Sequence, residues 1–159
     1  MSDIYLKGWL QCLETDQQAT DIHYRSMDGD GNFNWRFVFE FDYLPAEQSV
    51  VVRRKEHFWS LDETTAKQPP ILTLQIWDND KFSADDFIGQ LSLDLNRMIK
   101  PAKNDESCGL GQLPNLSDEG KASGKQDFIS LFKQRRLKGW WPCIMELPDN
   151  KREIAVIKI

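Results

Sequence analysis

The clearest pattern in the chain is Trp35-Arg36-Phe37-Val38-Phe39-Glu40-Phe41-Asp42-Tyr43. Trp35, Phe37, Phe39, Phe41 and Tyr43 fall on one face, with mostly polar or charged residues on the other. Such strict alternation predicts a half-buried β-strand. Shorter runs with the same period of two span 4–10, 21–25, 71–77, 87–95, 140–147 and 153–159. Turn signals separate them, among them Asp28-Gly29-Asp30-Gly31-Asn32 and Pro148-Asp149-Asn150. About seven strands with almost no helical periodicity predict an all-β fold, an antiparallel β-sandwich.

Two stretches break this rhythm. Residues 48–70 read as a long connection holding Val50-Val51-Val52, the basic trio Arg53-Arg54-Lys55 and Trp59. Residues 99–139 read as a longer insertion, expected to be mobile from Pro101 to Lys125. Near its end Asp127 is placed to cap a short helix that turns Phe128, Leu131 and Phe132 toward the core. No internal repeat and no second domain are visible, so residues 1–159 are expected to form a single domain.

Composition sharpens the class. The 159 residues include 9 Phe, 6 Trp and 3 Tyr, enough aromatic area for a packed core. A net charge of −5 argues against nucleic acid as a partner, because phosphate contacts need a basic surface. Three cysteines, Cys12, Cys108 and Cys143, form no CxxC pair and leave an odd count, which fits a reducing compartment. The first residues lack both the basic and the apolar regions of a signal peptide, and no apolar run reaches the roughly 20 residues of a membrane span.

The chemistry is concentrated in Trp77-Asp78-Asn79-Asp80-Lys81-Phe82-Ser83-Ala84-Asp85-Asp86-Phe87-Ile88-Gly89, between two expected strands. Four carboxylates and one lysine share a loop that a hairpin folds back on itself. A solvated polar turn accounts for one or two of the aspartates and less well for four. Two like charges about 4 Å apart repel by roughly 1 kcal/mol in water and about 4 kcal/mol at an effective dielectric of 20. A cation would relieve that repulsion. Hard oxygens at 78, 80 and 86, with the Ser83 hydroxyl between, suit Ca²⁺. An EF-hand does not fit: counted from Asp78, the sixth residue is Ser83 rather than Gly and the twelfth is Gly89 rather than Glu. Asp28 to Asn32 fails in the same way.

Trp77-Asp78-x-Asp80-x-x-Ser83-x-x-Asp86-x-Ile88-Gly89 resembles the third calcium-binding loop of a C2 domain. Ser2-Asp3-Ile4-Tyr5-Leu6-Lys7 resembles the strand that follows the first such loop. Longer phrases, Gly31 to Phe37, Phe41 to Glu47 and Lys138 to Pro142, are similar to the ferlin family, of the dysferlin and myoferlin type. They most resemble its C-terminal, membrane-proximal C2 domain.

That resemblance implies Ca²⁺ ligands at Asp3, Asp78, Asp80 and Asp86, with Ser83 as a further candidate. Asp85 has no counterpart in the pattern and is expected to tune local charge, while Asp28 and Asp30 contribute field from a neighbouring loop. A C2 domain carries another strand ahead of the position of Ser2, and its first loop supplies one more aspartate. Neither is present in this sequence, so the resemblance implies a site short of one ligand. It also implies a gap between residues 35–43 and 153–159 whose unpaired backbone invites pairing with another chain. The implied function is calcium-responsive binding to anionic phospholipid at the cytoplasmic face of the plasma membrane or of vesicles. It serves membrane fusion, vesicle trafficking or membrane repair, with fusion or repair proteins as further partners. The alternative is a calcium-independent protein-interaction module with a vestigial acidic loop.

Phe82 and Lys81 at the loop tip are candidate membrane contacts: the ring enters the headgroup boundary and the lysine meets anionic lipid. A ring tucked onto the rim of the sandwich is the competing expectation. Lys133, Arg135, Arg136 and Lys138 precede Trp140-Trp141, a pairing that fits either a membrane interface or a core pair with a solvated basic edge. With His23 in a strand pattern, His57 in a loop, no nucleophile elbow and no phosphate-binding glycine motif, the chain is not expected to be an enzyme.

Overall fold

The computed structural model describes residues 1–11, 17–55, 63–109, 128–148 and 151–159, with the backbone alone at 52–55 and 63–66. Cys12, His57, Trp59, Asp127 and most of the stretch from Pro101 to Lys125 therefore lie outside the described residues or side chains. In chain order the strands are β1 (Ser2–Leu10), β2 (Gln18–Ala19), β3 (His23–Ser26), β4 (Asp42–Leu44), β5 (Ser49–Lys55) and β6 (Glu63–Gln68). They continue as β7 (Ile71–Asp78), β8 (Asp86–Asp94), β9 (Met98–Ile99), β10 (Phe128–Ile129), β11 (Trp140–Glu146) and β12 (Arg152–Lys158).

The main sheet runs β12-β11-β8-β7-β1-β2, with β3 also paired to β1 and every pairing antiparallel. Its centre is the β1–β7–β8 trio, whose inward alternating residues, Ile4, Leu6, Leu10, Leu74, Ile76, Leu91 and Leu93, are all buried. A second sheet, β4-β5-β6, adds the fully buried Val50 to the same core. Trp141 of β11 is 2 % exposed, and its indole N–H donates to the Ile99 carbonyl at 3.2 Å. Trp141 is thus a core residue, while Trp140 is half-buried beneath Lys158. Lys133, Arg135, Arg136 and Lys138 are exposed.

Residues 35–43 do not form the expected nine-residue strand. Only the end of this run joins β4. The alternation itself survives: Phe37, Phe39, Phe41 and Tyr43 pack on the core, whereas Arg36, Val38 and Glu40 are exposed. Trp35 departs from it, at 49 % exposed. A strand needs a partner ladder as well as a pattern, and among the described residues this run has one only at its end, where Asp42 and Tyr43 pair with Val51 and Val50 of β5. Val38 pairs instead with a side chain, the Gln18 amide, which donates to its carbonyl at 2.6 Å and accepts from its N–H at 3.1 Å.

The expected connection over 48–70 is instead a strand pair, β5 with β6, so Arg53-Arg54-Lys55 belongs to a strand rather than a loop. In the later insertion β9 pairs with β10, and Ala102 bridges to Trp140, tying down part of the stretch expected to be mobile. The expected helix is reduced to one 3-10 turn, Leu131–Lys133. Ser130 is extended and Phe128 is held in the β9–β10 ladder, leaving too few residues for a helical nucleus. Leu131 and Phe132 pack on the core, Phe132 stacking on Tyr43 at 3.6 Å between ring centroids. Phe128 does not; it is exposed under the Arg97 guanidinium. Cys108 and Cys143 are free, and burial pushes the Cys143 thiol up to about 12, far from a reactive thiolate. No described helix is long and apolar enough to cross a membrane.

Candidate functional site

The acidic loop joins β7 to β8, and register decides where its carboxylates fall. Asp78 and Asp86 are directly paired as the last rung of that ladder. Paired residues project to the same face with Cβ atoms about 5 Å apart, so two like charges face each other, an arrangement that destabilises a sheet. One step earlier Gly89 pairs with Ile76 and Phe87 with Trp77, leaving Ile88 as the extra residue of a β-bulge. The bulge brings the Phe87 ring edge-on to Trp77, 5.4 Å between centroids, and sets Asp86 opposite Asp78.

Strand β1 brings the third carboxylate. Ile4 pairs with Asp78, so Asp3 stands at the same end. The Asp3 N–H donates to Asp78 Oδ1 at 2.6 Å, and the Asn79 N–H donates to the Asp3 carbonyl at 2.8 Å. Asp3 Oδ1 accepts from the Arg25 N–H at 2.8 Å. Within the loop the Ser83 hydroxyl donates to Asp80 Oδ2 at 2.8 Å. Asp28 and Asp30 are exposed on the turn that follows β3.

Asp85 has a larger part than the sequence indicates. Its Oδ2 accepts from the Tyr5 hydroxyl at 2.6 Å, and its Oδ1 accepts from the Asn79 amide at 3.0 Å and the Asp80 N–H at 3.3 Å. It ties the loop to β1 and to itself. The Tyr5 hydrogen bond is the largest of the effects that hold the Asp85 carboxyl below its ordinary value. Burial, followed by the Asp85 bond and charge, pushes the Tyr5 phenol up to about 12. The one available signal was the spacing of Asp3 and Tyr5, which puts both on one face of β1. Lys7, two further along that face, lies over the Trp77 ring at 4.2 Å.

Asp3, Asp78, Asp80, Ser83 and Asp86 therefore share one end of the sheet. They do not form a preassembled centre: among the described residues, no three carboxylate, imidazole or thiolate groups converge to hold a metal ion. The donor chemistry, carboxylates plus a hydroxyl, is that of a hard cation such as Ca²⁺. At the tip, Phe82 projects fully into solvent, 102 % exposed, rather than tucking onto the rim, and Lys81 beside it is exposed too.

A family model described as the C2 domain matches residues 54–110, a span that contains this loop. Myoferlin of Mus musculus is 59 % identical over 155 residues, which is 98 % of this chain and 7 % of that protein. Myoferlins of Homo sapiens and Xenopus tropicalis are each 58 % identical over the same length, covering 7 % and 8 % of those proteins. The chain thus spans less than a tenth of the relatives it matches. Paired strands around an acidic hairpin and near-60 % identity along almost the whole chain lead to one conclusion: the chain belongs to the ferlin family, as a C2 domain.

Proposed function

We propose that this domain binds anionic phospholipid in response to Ca²⁺, as the membrane-proximal C2 unit of a longer protein that acts in membrane fusion, vesicle trafficking or repair at a cytoplasmic membrane face. In this reading residues 1–159 form one binding unit with no catalytic role. The observation that carries it is the Asp78–Asp86 rung with Asp3 alongside, a like-charge arrangement that a cation would relieve.

The carboxylates do two things. Unliganded, they repel the phosphates of anionic lipid. With Asp80 and Ser83 drawn in from the loop, Asp3, Asp78 and Asp86 would hold the cation. Ca²⁺, when bound, supplies positive charge that cancels this repulsion and oxygen-coordinating capacity that lipid phosphate can share. Lys81 offers a fixed positive charge at the tip, and Phe82 an apolar group for the headgroup boundary. Asp85, occupied by three donors, holds the loop rather than the ion.

One observation favours the second reading, a calcium-independent protein-interaction module. Asp3, Asp78 and Asp80 are already hydrogen-bonded within the protein, and no three ligands converge. Co-sedimentation with phosphatidylserine-containing vesicles, with Ca²⁺ and with chelator, separates the two. Retention only with Ca²⁺, abolished by Asp80→Asn together with Asp86→Asn, supports the lipid reading. Retention that is absent in both conditions, or independent of Ca²⁺, removes it.

A further inference from the structure

Asp80 and Asp86 are exposed, whereas Asp85 between them is half-buried and has both oxygens occupied. Its Oδ2 accepts from the Tyr5 hydroxyl at 2.6 Å, and its Oδ1 from the Asn79 amide at 3.0 Å and the Asp80 N–H at 3.3 Å. One carboxylate thus clasps both stems of the loop, the chain leaving β7 and the chain entering β8, onto β1. The Asn79 N–H adds a second tie to β1, donating to the Asp3 carbonyl at 2.8 Å. The anchor of the clasp belongs to the sheet rather than to the loop. Tyr5 is 7 % exposed, pairs with Trp77, and carries Lys7 Nζ 5.4 Å from its ring centroid.

Register gives the clasp a direction. Tyr5 pairs with Trp77 and Trp77 with Phe87, so these side chains share one face of the sheet. Ile4 pairs with Asp78, and Asp78 with Asp86, on the other face. Successive residues of a strand project to opposite faces. Holding Asp85 on the Tyr5 face therefore leaves Asp86 on the face of Asp78. On the opposite stem Asp80 is held by its own N–H. Each point that the clasp fixes is a candidate ligand or its immediate neighbour.

We infer that Tyr5 and Asp85 are positioning residues for the cation: their hydrogen bond keeps Asp80 and Asp86 at the hairpin mouth and so sets the affinity for Ca²⁺ without touching the ion. This rests on the calcium reading above. An ion that meets a loop competent for only part of the time binds with its affinity reduced by that fraction. The clasp keeps the fraction high, which is preorganisation of the site by a β1 residue far away in sequence. An Asp85 that acted through its charge alone would leave the Tyr5 hydroxyl irrelevant to Ca²⁺ binding.

The test is a lipid-free calorimetric Ca²⁺ titration of the parent, Tyr5→Phe, Asp85→Asn and Asp85→Ala, at a temperature where each is folded. Tyr5→Phe keeps every charge and loses the anchor, and is expected to weaken Ca²⁺ binding roughly three- to tenfold. The amide introduced by Asp85→Asn still accepts from Asn79 and Asp80 and donates to the Tyr5 oxygen. Asp85→Asn is therefore expected to bind more tightly than Asp85→Ala, although both lose the same charge. In the calcium-free protein, exchange of the Asn79 and Asp80 amide protons should quicken in Tyr5→Phe; unchanged exchange refutes the clasp. If Tyr5→Phe titrates like a parent that does bind Ca²⁺, or Asp85→Asn and Asp85→Ala weaken binding equally, the positioning role is refuted while the calcium reading stands. Tighter binding by Tyr5→Phe also refutes it, since the released Asp85 then serves as a ligand. If the parent takes up no Ca²⁺, both fall.

Discussion

Replacing Phe82 with alanine separates folding from membrane contact. The ring is fully exposed, so its removal takes nothing from the core. Surface changes of this kind stay within about 0.5 kcal/mol, a shift of roughly 1–2 °C in a domain of this size. At a bilayer the same ring matters more. Full burial of a phenylalanine side chain is worth about 1.5–3 kcal/mol, and insertion of roughly half of it about 0.75–1.5 kcal/mol, roughly a three- to tenfold change in binding. Phe82→Ala should therefore melt with the parent, titrate Ca²⁺ in solution like the parent, and require roughly three to ten times more anionic lipid for half-retention on vesicles. Calorimetric melting, Ca²⁺ titration and co-sedimentation read the three quantities. A fall in melting temperature of more than about 4 °C, or equal losses of Ca²⁺ and vesicle binding, would show that the ring packs the loop and refute the reasoning.

Asp80→Asn and Asp86→Asn should each weaken Ca²⁺ binding while leaving the calcium-free melting temperature equal or higher, because each relieves repulsion at the hairpin mouth; a marked drop without Ca²⁺ would make these carboxylates structural. Tyr5→Phe removes the largest cause of the lowered Asp85 value, so a stabilisation present above the ordinary carboxyl value of 3.8 and lost as pH falls through the lower folded value disappears. Melting curves from pH 6 down to pH 2 should show the parent's advantage shrinking below about pH 4; an advantage constant with pH would sink this assignment. Gly139→Ala would put a Cβ 2.3 Å from the Pro101 Cβ and 2.9 Å from the Ala102 carbonyl, straining the Ala102–Trp140 bridge. A loss of about 1–3 kcal/mol is expected, against less for Gly8→Ala, whose 2.8 Å neighbour is the tip of the Leu74 side chain; equal melting temperatures would contradict it.

Period-two alternation was a sound guide wherever neighbours supplied a ladder, as in β1, β7, β8, β11 and β12. Residues 35–43 show its limit. The aromatic face is real and packs on the core, but pattern specifies a face and pairing specifies a strand. The β5–β6 pair shows the reverse: Glu63-Thr64-Thr65-Ala66-Lys67-Gln68 carries almost no apolar alternation, and its ladder with β5 makes it a strand. At the site, the local spacing of Asp78, Asp80 and Asp86 was legible because one hairpin holds all three. The Asp78–Asp86 rung required the Ile88 bulge, and the Asp85–Tyr5 bond spans 80 residues of sequence. Neither leaves a signature in local spacing. Phe82 was legible as a tip residue because the hairpin pattern itself marks the tip.

The most direct test of the central claim is a calorimetric Ca²⁺ titration of the folded chain, run without lipid and then with phosphatidylserine vesicles. The account predicts saturable Ca²⁺ binding that tightens when the vesicles are present, because carboxylates at the hairpin mouth and lipid phosphates then share the cation. A folded chain that takes up no Ca²⁺ in either condition would contradict it.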